Sequence, residues 1–399
     1  MSTWVHRAMP CARWENILQL AKLTDYEISA LGAEHNLCDG HARYTSDISP
    51  SIIGEAIREL LSKPLPQQDV EASFLQDFAT LTKQEIAVMP EDVLLCPSAS
   101  IAIELVANYL RLHHMSVALI EPVFDNLADI LSRHNLSLLP LREEKGREIG
   151  IADYLARLSV DAFFLVVPNN PTGYCFSPTE FEAIINFCAR NRKLLVLDFS
   201  FRHFAPGLVE WNQYTLLKAA GVEYIAIEDT GKVWPTAELK VSILSASNLV
   251  FSDLRAIYRD IFINHSPISI RVVGLFVRNS IEKGLEGTVL RIVEKNRQHL
   301  RTALASTSLR PVTYSNVSVE WIELPKYLTD TTFERNLAAH NVRILPGSKF
   351  YWTGADIGHR YIRVAMMRDP AKFASAVLEM QIALDTLLER EKDIERRHS

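Results

Sequence analysis

Two apolar runs in this sequence end on ionisable groups. Val196-Leu197-Asp198-Phe199-Ser200-Phe201 reaches a carboxylate, and Ile227-Glu228-Asp229-Thr230-Gly231-Lys232 reaches an amine. Apolar, β-branched runs that stop at a charge and turn-forming residues are the mark of buried parallel strands whose C-terminal ends open into a site. A carboxylate and an amine so placed suit a pyridine-aldehyde cofactor. The amine can form a Schiff base with the aldehyde, and the carboxylate keeps the pyridine nitrogen protonated as an electron sink. A third signal, Pro168-Asn169-Asn170-Pro171-Thr172-Gly173, directly follows the apolar run Phe163 to Val167. Its prolines and glycine force a tight turn, in which an amide can bond a ring substituent. Alone it is a β-turn; its spacing of 28 residues to Asp198, and of 34 from there to Lys232, makes it part of a set.

The elements that must position these groups follow a βα rhythm. Short apolar runs at Val93 to Cys96, Ser116 to Ile120, Ala162 to Val167, Leu194 to Leu197 and Tyr224 to Ile227 alternate with helical patterns. That alternation predicts an α/β fold with a parallel or mostly parallel sheet and helices on both faces. After Leu239, "KVSILSAS" reads as one more strand, the candidate for an antiparallel one. Ile52 to Leu61 is an amphipathic helix by its three- and four-residue steps. Residues 252 to 307 are helical in pattern; the last hundred, with "SVEWIELP", "NVRILPG" and "RYIRVAMM", read as a smaller α+β part ending in a charged tail, Glu389 to Ser399. Ahead of all this, Trp14 to Leu31 is mostly helical, and "GAEHNLCDGHARYTSDISPS" reads as an irregular, solvated connection. Its His35, His41 and Arg43 sit where loops carry function.

Composition narrows the partners. The chain has 399 residues, 48% hydrophobic and 23% charged, with a formal net charge of −6, enough for two domains. The acidic balance is spread out, without a basic block, so the expected partner is a small molecule and not nucleic acid or an anionic membrane. No stretch approaches the roughly 18 apolar residues of a membrane span. The segment Met1 to Ala30 lacks the apolar core of a signal peptide. Cys11, Cys38, Cys96, Cys175 and Cys188 are odd in number and scattered, without metal-ligand spacing. They point to reduced thiols, a cytoplasmic location and no metal site.

The run "VVPNNPTG", the strand-end Asp198 and Lys232, and the late "ILPGSKF" followed by "YIRVAMM" resemble the fold-type I pyridoxal-phosphate enzymes of the class I and II aminotransferase group, over about Ile52 to Arg368. The resemblance implies a mostly parallel, seven-stranded-type sheet in a large cofactor domain, residues 52–285, with a smaller α+β domain, residues 286–399, joined by the N-terminal segment 1–51. It implies pyridoxal 5'-phosphate as cofactor, an α-amino acid substrate, transfer of its amino group to a 2-oxo acid, and a homodimer. Carried over by position, Lys232 is the Schiff-base lysine and general base, Asp198 pairs with the pyridinium, and Asn170 bonds the ring hydroxyl and lies at the substrate. Phe124 stands where the group stacks an aromatic on the ring, although core packing also accounts for it. Ser98, Ala99 and Ser100 match the phosphate loop at a helix start, with Thr230 as a further hydroxyl. Arg363 matches the clamp on the substrate carboxylate; on an alternating strand it shares a face with Tyr361, and Arg360 does not.

Three departures accompany this match. Phe201 stands where the group has a tyrosine donating to the ring oxygen. Lys240 replaces an arginine on the phosphate, keeping the charge and losing the bidentate fork. "EDTGKVWPTAELK" replaces a serine-rich approach to the lysine, bringing Glu228 and Asp229 to the phosphate side. They motivate an alternative outcome with the same cofactor: a cyclase, lyase or oxidase of a modified amino acid in specialised biosynthesis.

Overall fold

The computed structural model describes residues 22–236 and 238–398. In chain order the strands are β1 (His35–Asn36), β2 (Leu94–Cys96), β3 (Val117–Glu121), β4 (Leu138–Arg142), β5 (Ala162–Val166), β6 (Leu194–Asp198), β7 (Tyr224–Asp229), β8 (Ser242–Ala246), β9 (Arg310–Pro311), β10 (Val319–Glu323), β11 (Val342–Arg343), β12 (Leu345–Pro346) and β13 (Tyr361–Ala365). The central sheet has seven strands in the order β2-β8-β7-β6-β5-β3-β4. Strand β8 runs antiparallel to both its neighbours, while β7, β6, β5, β3 and β4 pair in parallel. The α/β fold and the antiparallel strand at "KVSILSAS" are therefore as expected. Strands β5, β6 and β7 are buried along their whole length, which is why each reads as a continuous apolar run and not as an alternation.

Strand β4 carries no such signal. Its sequence Leu-Leu-Pro-Leu-Arg is half-exposed and holds Pro140, which cannot donate to a ladder. The structure tolerates the proline because β4 is the sheet edge, pairing among the described residues only with β3. Helices start on side-chain caps. Ser98 Oγ accepts from Ile101 N at the head of the helix Ala99–Leu112, and Ser177 with Glu180 forms a capping box on Pro178–Arg190.

A second sheet, β12-β13-β10-β9, is antiparallel and carries the helices Asp330–Ala339 and Pro370–His398. The segment after residue 31 belongs to this part and is not the solvated connection its composition implies. Strand β1 pairs in parallel with β11, Leu37 N donates to Arg343 O at 2.8 Å, and Arg43 N donates to Met367 O at 2.8 Å. Leu37, Cys38, Asp39 and Gly40 are buried. The buried Arg368 guanidinium donates to the carbonyls of Asn36, Asp39 and His41, so a polar segment has its backbone satisfied by residues some three hundred positions later. Of the helix expected at Trp14 to Leu31, the described part is Leu23–Ser29, and the remainder lies outside the described residues. Among the described residues, no helix is long and apolar enough to cross a membrane.

One buried ion pair braces the strand ends. Arg202, on the turn after β6, donates from Nε to both Glu228 oxygens at 2.9 and 3.0 Å, and Tyr214 Oη donates to Glu228 at 3.1 Å. Glu228 and Arg202 are both fully buried. Glu228 thus faces away from the phosphate side where its neighbourhood in sequence places it. Alternation along β7 sends Glu228 and Asp229 to opposite faces. Removing one partner strands a buried charge, so Glu228→Leu should lower unfolding free energy by about 3–5 kcal/mol in urea titrations.

Candidate active site

The parallel register brings the candidate residues level with one another. Val166 pairs with Asp198, and Asp198 with Ile227, so the turn after β5, the end of β6 and the end of β7 open together. Ser98, Ala99, Ser100, Phe124, Asn170, Asp198, Phe201, Lys232, Lys240 and Arg363 all line one cavity of about 260 Å³ at that edge. Two larger depressions, of about 510 and 500 Å³, take in Tyr224 and Leu194 at the opposite ends of β7 and β6 and contain none of these groups. Thr230 does not line the cavity. Its hydroxyl donates to Val241 O at 2.9 Å and accepts from Val241 N at 2.9 Å, which commits it to joining β7 to β8.

Asp198 has one oxygen engaged. Ser200 donates to Oδ1 from both its backbone N, at 2.9 Å, and its hydroxyl, at 2.5 Å. Burial pushes the carboxyl up to about 6; the Ser200 bonds oppose this, and the charges of Asp229 and Glu228 add to it. Its second oxygen is available to a protonated ring nitrogen, whose positive charge would counter that penalty.

Around Lys232 the charges alternate. Gly40, from the N-terminal segment, lies against the lysine stem: a Cβ there would meet Lys232 Cδ at 3.6 Å and Nζ at 3.8 Å. His41, next in sequence, lines the same cavity, and the Lys232 charge, together with burial, lowers its pKa to about 4. Asp39 orients this loop, with His41 Nδ1 at 3.4 Å and Arg43 Nε at 2.8 Å. Burial alone would raise the Asp39 carboxyl; the His41 bond and the Arg368 and Arg43 charges outweigh it and hold the group well below the usual range. Asp229 also lines the cavity, its Oδ1 without a hydrogen-bond partner among the described residues and its pKa raised by burial against the opposing charges of Lys232 and Lys240. Gly231 lies close against Lys240: a Cβ there would stand 2.9 Å from Lys240 Cδ, so the lysine stem would have to shift. Lys240 pairs with Glu238 at 2.7 Å.

Arg363 is 1% exposed and donates to Cys38 O; its Nη1 reaches Asn170 Oδ1 at 3.5 Å and its Nη2 lies 3.6 Å from Glu27. Its guanidinium carbon sits 5.9 Å from the Phe124 ring centroid and 5.7 Å from that of Phe350. Arg360 instead bonds Leu324 O and Glu323, outside the cavity, as strand alternation predicts. Glu27 and Thr24 complete the wall from the helix Leu23–Ser29, which no motif marks. His41 reads in sequence as a polar loop residue only, and the structure brings it beside the lysine. The four described cysteines are free, and burial pushes the thiols of Cys96, Cys175 and Cys188 up to about 12.

These groups fit pyridoxal 5'-phosphate. The amine of Lys232, the open oxygen of Asp198, the Asn170 amide and the Phe124 face would take its pyridine ring. The start of the helix Ala99–Leu112, with Ser98, Ser100 and Lys240, would take its phosphate.

A family model described as aminotransferase class I and II matches residues 36–377. Among curated proteins, the LL-diaminopimelate aminotransferase of Chlamydia pneumoniae is 20% identical over 269 residues, and the match spans 64% of this chain and 64% of that relative's length. A solved structure of MppP soaked with the product 2-ketoarginine is 31% identical, covers 88% of this chain and 99% of its own, and superposes with a TM-score of 0.79. LysN, the α-aminoadipate aminotransferase of Thermus thermophilus, complexed with N-(5'-phosphopyridoxyl)-L-leucine, is 19% identical, covers 94% and 97% of the two chains, and has a TM-score of 0.76.

The electrostatics of Asp198 has a measurable consequence. A carboxyl whose folded pKa is raised to about 6 favours the fold below the ordinary value near 4, and that advantage is lost as pH rises through 6. Asp198→Asn keeps an oxygen for Ser200 and removes the charge. In cofactor-stripped protein it should therefore be more stable than the parent by about 2 kcal/mol at pH 8, with the difference fading at pH 4, as read by urea unfolding at both pH values.

Proposed function

The chain belongs to the aminotransferase class I and II family and is a pyridoxal-phosphate-dependent, aminotransferase-like enzyme, and from that premise we propose that it removes the amino group of an α-amino acid with a cationic side chain and passes it to a 2-oxo acid. The observation that carries the reading is the convergence of Lys232, Asp198, Asn170 and Arg363 on one cavity from four separate parts of the chain. When bound, the cofactor supplies an electron sink that labilises the bonds at the substrate α-carbon.

The chain's own residues divide the remaining work. Arg363 takes the α-carboxylate, its guanidinium held in place by Cys38 O and Asn170. Lys232 moves the α-proton as general base. Asp198 keeps the ring nitrogen protonated through the oxygen that Ser200 leaves open. Lys240 and the serines at the head of the helix Ala99–Leu112 hold the phosphate as a monodentate cation and a set of helix-terminal donors. Support for a cationic side chain comes from two carboxylates in the wall, Glu27 and Asp229, the second with an unpartnered oxygen. It also comes from the MppP neighbour, whose named product is 2-ketoarginine. Arginine is accordingly the first substrate to test. The assembly proposed with this activity is a homodimer, as the resemblance to the family implies.

A second reading keeps the cofactor and changes the outcome to cyclisation, elimination or oxygen-dependent oxidation of a modified amino acid. It is favoured by Phe201, which withholds a hydroxyl from the ring oxygen, and by His41, a second titratable group beside Lys232.

Purified protein should show a visible absorbance band that Lys232→Ala abolishes or moves. With arginine, the first reading gives stoichiometric pyridoxamine phosphate and a 2-oxo acid in the absence of oxygen. Turnover that consumes oxygen and leaves the cofactor in its aldehyde form rejects it in favour of the second. Because Glu27 also lies beside the carboxylate clamp Arg363, the readout is a ratio: Glu27→Gln should lower kcat/KM for arginine about ten- to a hundredfold further than for leucine, the scale of one charged hydrogen bond. Equal losses for both substrates would remove the cationic assignment.

A further inference from the structure

Glu143 is a carboxylate that no part of the proposed chemistry uses, and it is 3% exposed at the end of β4. A single oxygen, Oε2, accepts from Asn169 Nδ2 at 2.7 Å and from Thr172 Oγ1 at 2.7 Å. These two residues flank Asn170 and Pro171 in the turn after β5. Asn169 Nδ2 also donates to Pro122 O at 2.9 Å, which ties the turn to the end of β3. The charged groups around Glu143 are Arg147, whose Nε lies 3.8 Å from the other oxygen, and Glu144.

The opposite side of the turn is held as well. Tyr314 N donates to Thr172 O at 2.9 Å and Ser315 Oγ to Gly173 O at 2.6 Å, and Arg147 lies 4.4 Å from the Tyr314 ring centroid. Gly173 has φ +73°, and a Cβ there would stand 2.8 Å from Thr313 Cγ2, so the small-sheet loop rests directly on the turn. Asn170, by contrast, has a weak hold of its own: its Oδ1 accepts from Arg363 Nη1 at 3.5 Å. With phenylalanine at 201, the contact to the ring oxygen falls to Asn170 Nδ2, and the position of that amide is set by its flanking residues.

We propose that Glu143 is a positioning residue that clamps the Asn169–Thr172 turn so that Asn170 presents its amide to the cofactor ring oxygen. A buried acceptor that holds both flanks fixes the peptide between them, whereas a surface turn would let the amide rotate away. The clamp needs an oxygen at the Oε2 position and not a negative charge, because both donors use that one atom. It rests on the cofactor reading of Asn170 given above.

The test is the pH midpoint of the visible absorbance band of the holoenzyme. A donor on the ring oxygen draws off negative charge that would otherwise hold the proton on the adjacent lysine-linked nitrogen, so loss of the donor raises the midpoint. Asn170→Ala sets the full effect, a rise of about one unit or more. Glu143→Leu should approach that rise, Glu143→Gln should stay within about 0.3 unit of the parent because its carbonyl oxygen can replace Oε2, and Thr172→Val should fall between. A folded Glu143→Leu with the parental midpoint overturns the clamp alone, as does a Glu143→Gln that shifts as far as Glu143→Leu. Should Glu143→Leu fail to fold by circular dichroism, Thr172→Val decides in its place, and an unmoved midpoint there overturns the clamp. An unmoved midpoint in Asn170→Ala overturns the cofactor reading of that residue and the clamp with it.

Discussion

The alignment of three parallel strand ends is the constraint on which this molecule depends. Strands β5, β6 and β7 pair without a register slip, so Val166, Asp198 and Ile227 lie side by side and the chain leaves the sheet at one level three times over. A slip of one residue would reverse the facing of every side chain on the shifted strand. Asp198 would then exchange faces with Leu197, and Glu228 with Asp229. The Arg202–Glu228 pair guards against this from beneath, since it ties the turn after β6 to β7 through a contact that exists in one register.

That alignment concentrates ionisable groups where water is scarce, the carboxylates of Asp198, Asp229 and Glu228 acting against one another and the Lys232 and Lys240 charges opposing them at Asp229. Asp198 and Asp229 are raised by burial, and His41 is lowered by the Lys232 charge. Burial thus moves the two carboxyls toward neutral pH, while His41 is moved away from it and stays uncharged there. The cost falls on the fold: a carboxyl forced above its usual range is tolerated because a cationic ring would relieve it. Function and stability therefore oppose one another at Asp198 and support one another at Arg202 and Glu228.

Closure of the site comes from the other sheet. Arg363 on β13 and the segment carrying Gly40 and His41 belong to the small-sheet side, and they meet the strand ends of the large sheet across the cavity. Contact between the two parts is specific: the 313–317 loop sits on the turn that holds Asn170, while within the small part Arg368 satisfies three carbonyls of the N-terminal segment and so fixes His41 at the cavity. Arg363 bonds both Cys38 O and Asn170, and so spans the two parts directly.

The central strands, the helices between them and the antiparallel strand at 242–246 are legible in the sequence, because buried parallel strands write themselves as apolar runs and their ends as charges. Ten of the eleven candidate site residues fall around one cavity: strand ends and the proline-rich turn mark Asp198, Lys232 and Asn170, and the resemblance to the family supplied the others. Edge strand β4 is hidden by Pro140, and Thr230 misleads because a hydroxyl near a lysine reads the same whether it faces a ligand or a backbone carbonyl. The sequence by itself determined which groups stand at strand ends, since that depends on local periodicity. Only the tertiary structure decided that residues 35–43 are held against strands from the far end of the chain, that Glu27 faces Arg363, that Glu228 turns inward while Asp229 lines the cavity, and that Glu143 holds the turn. These are long-range pairings of polar groups, and polar residues carry no periodic signature of the partner that will satisfy them.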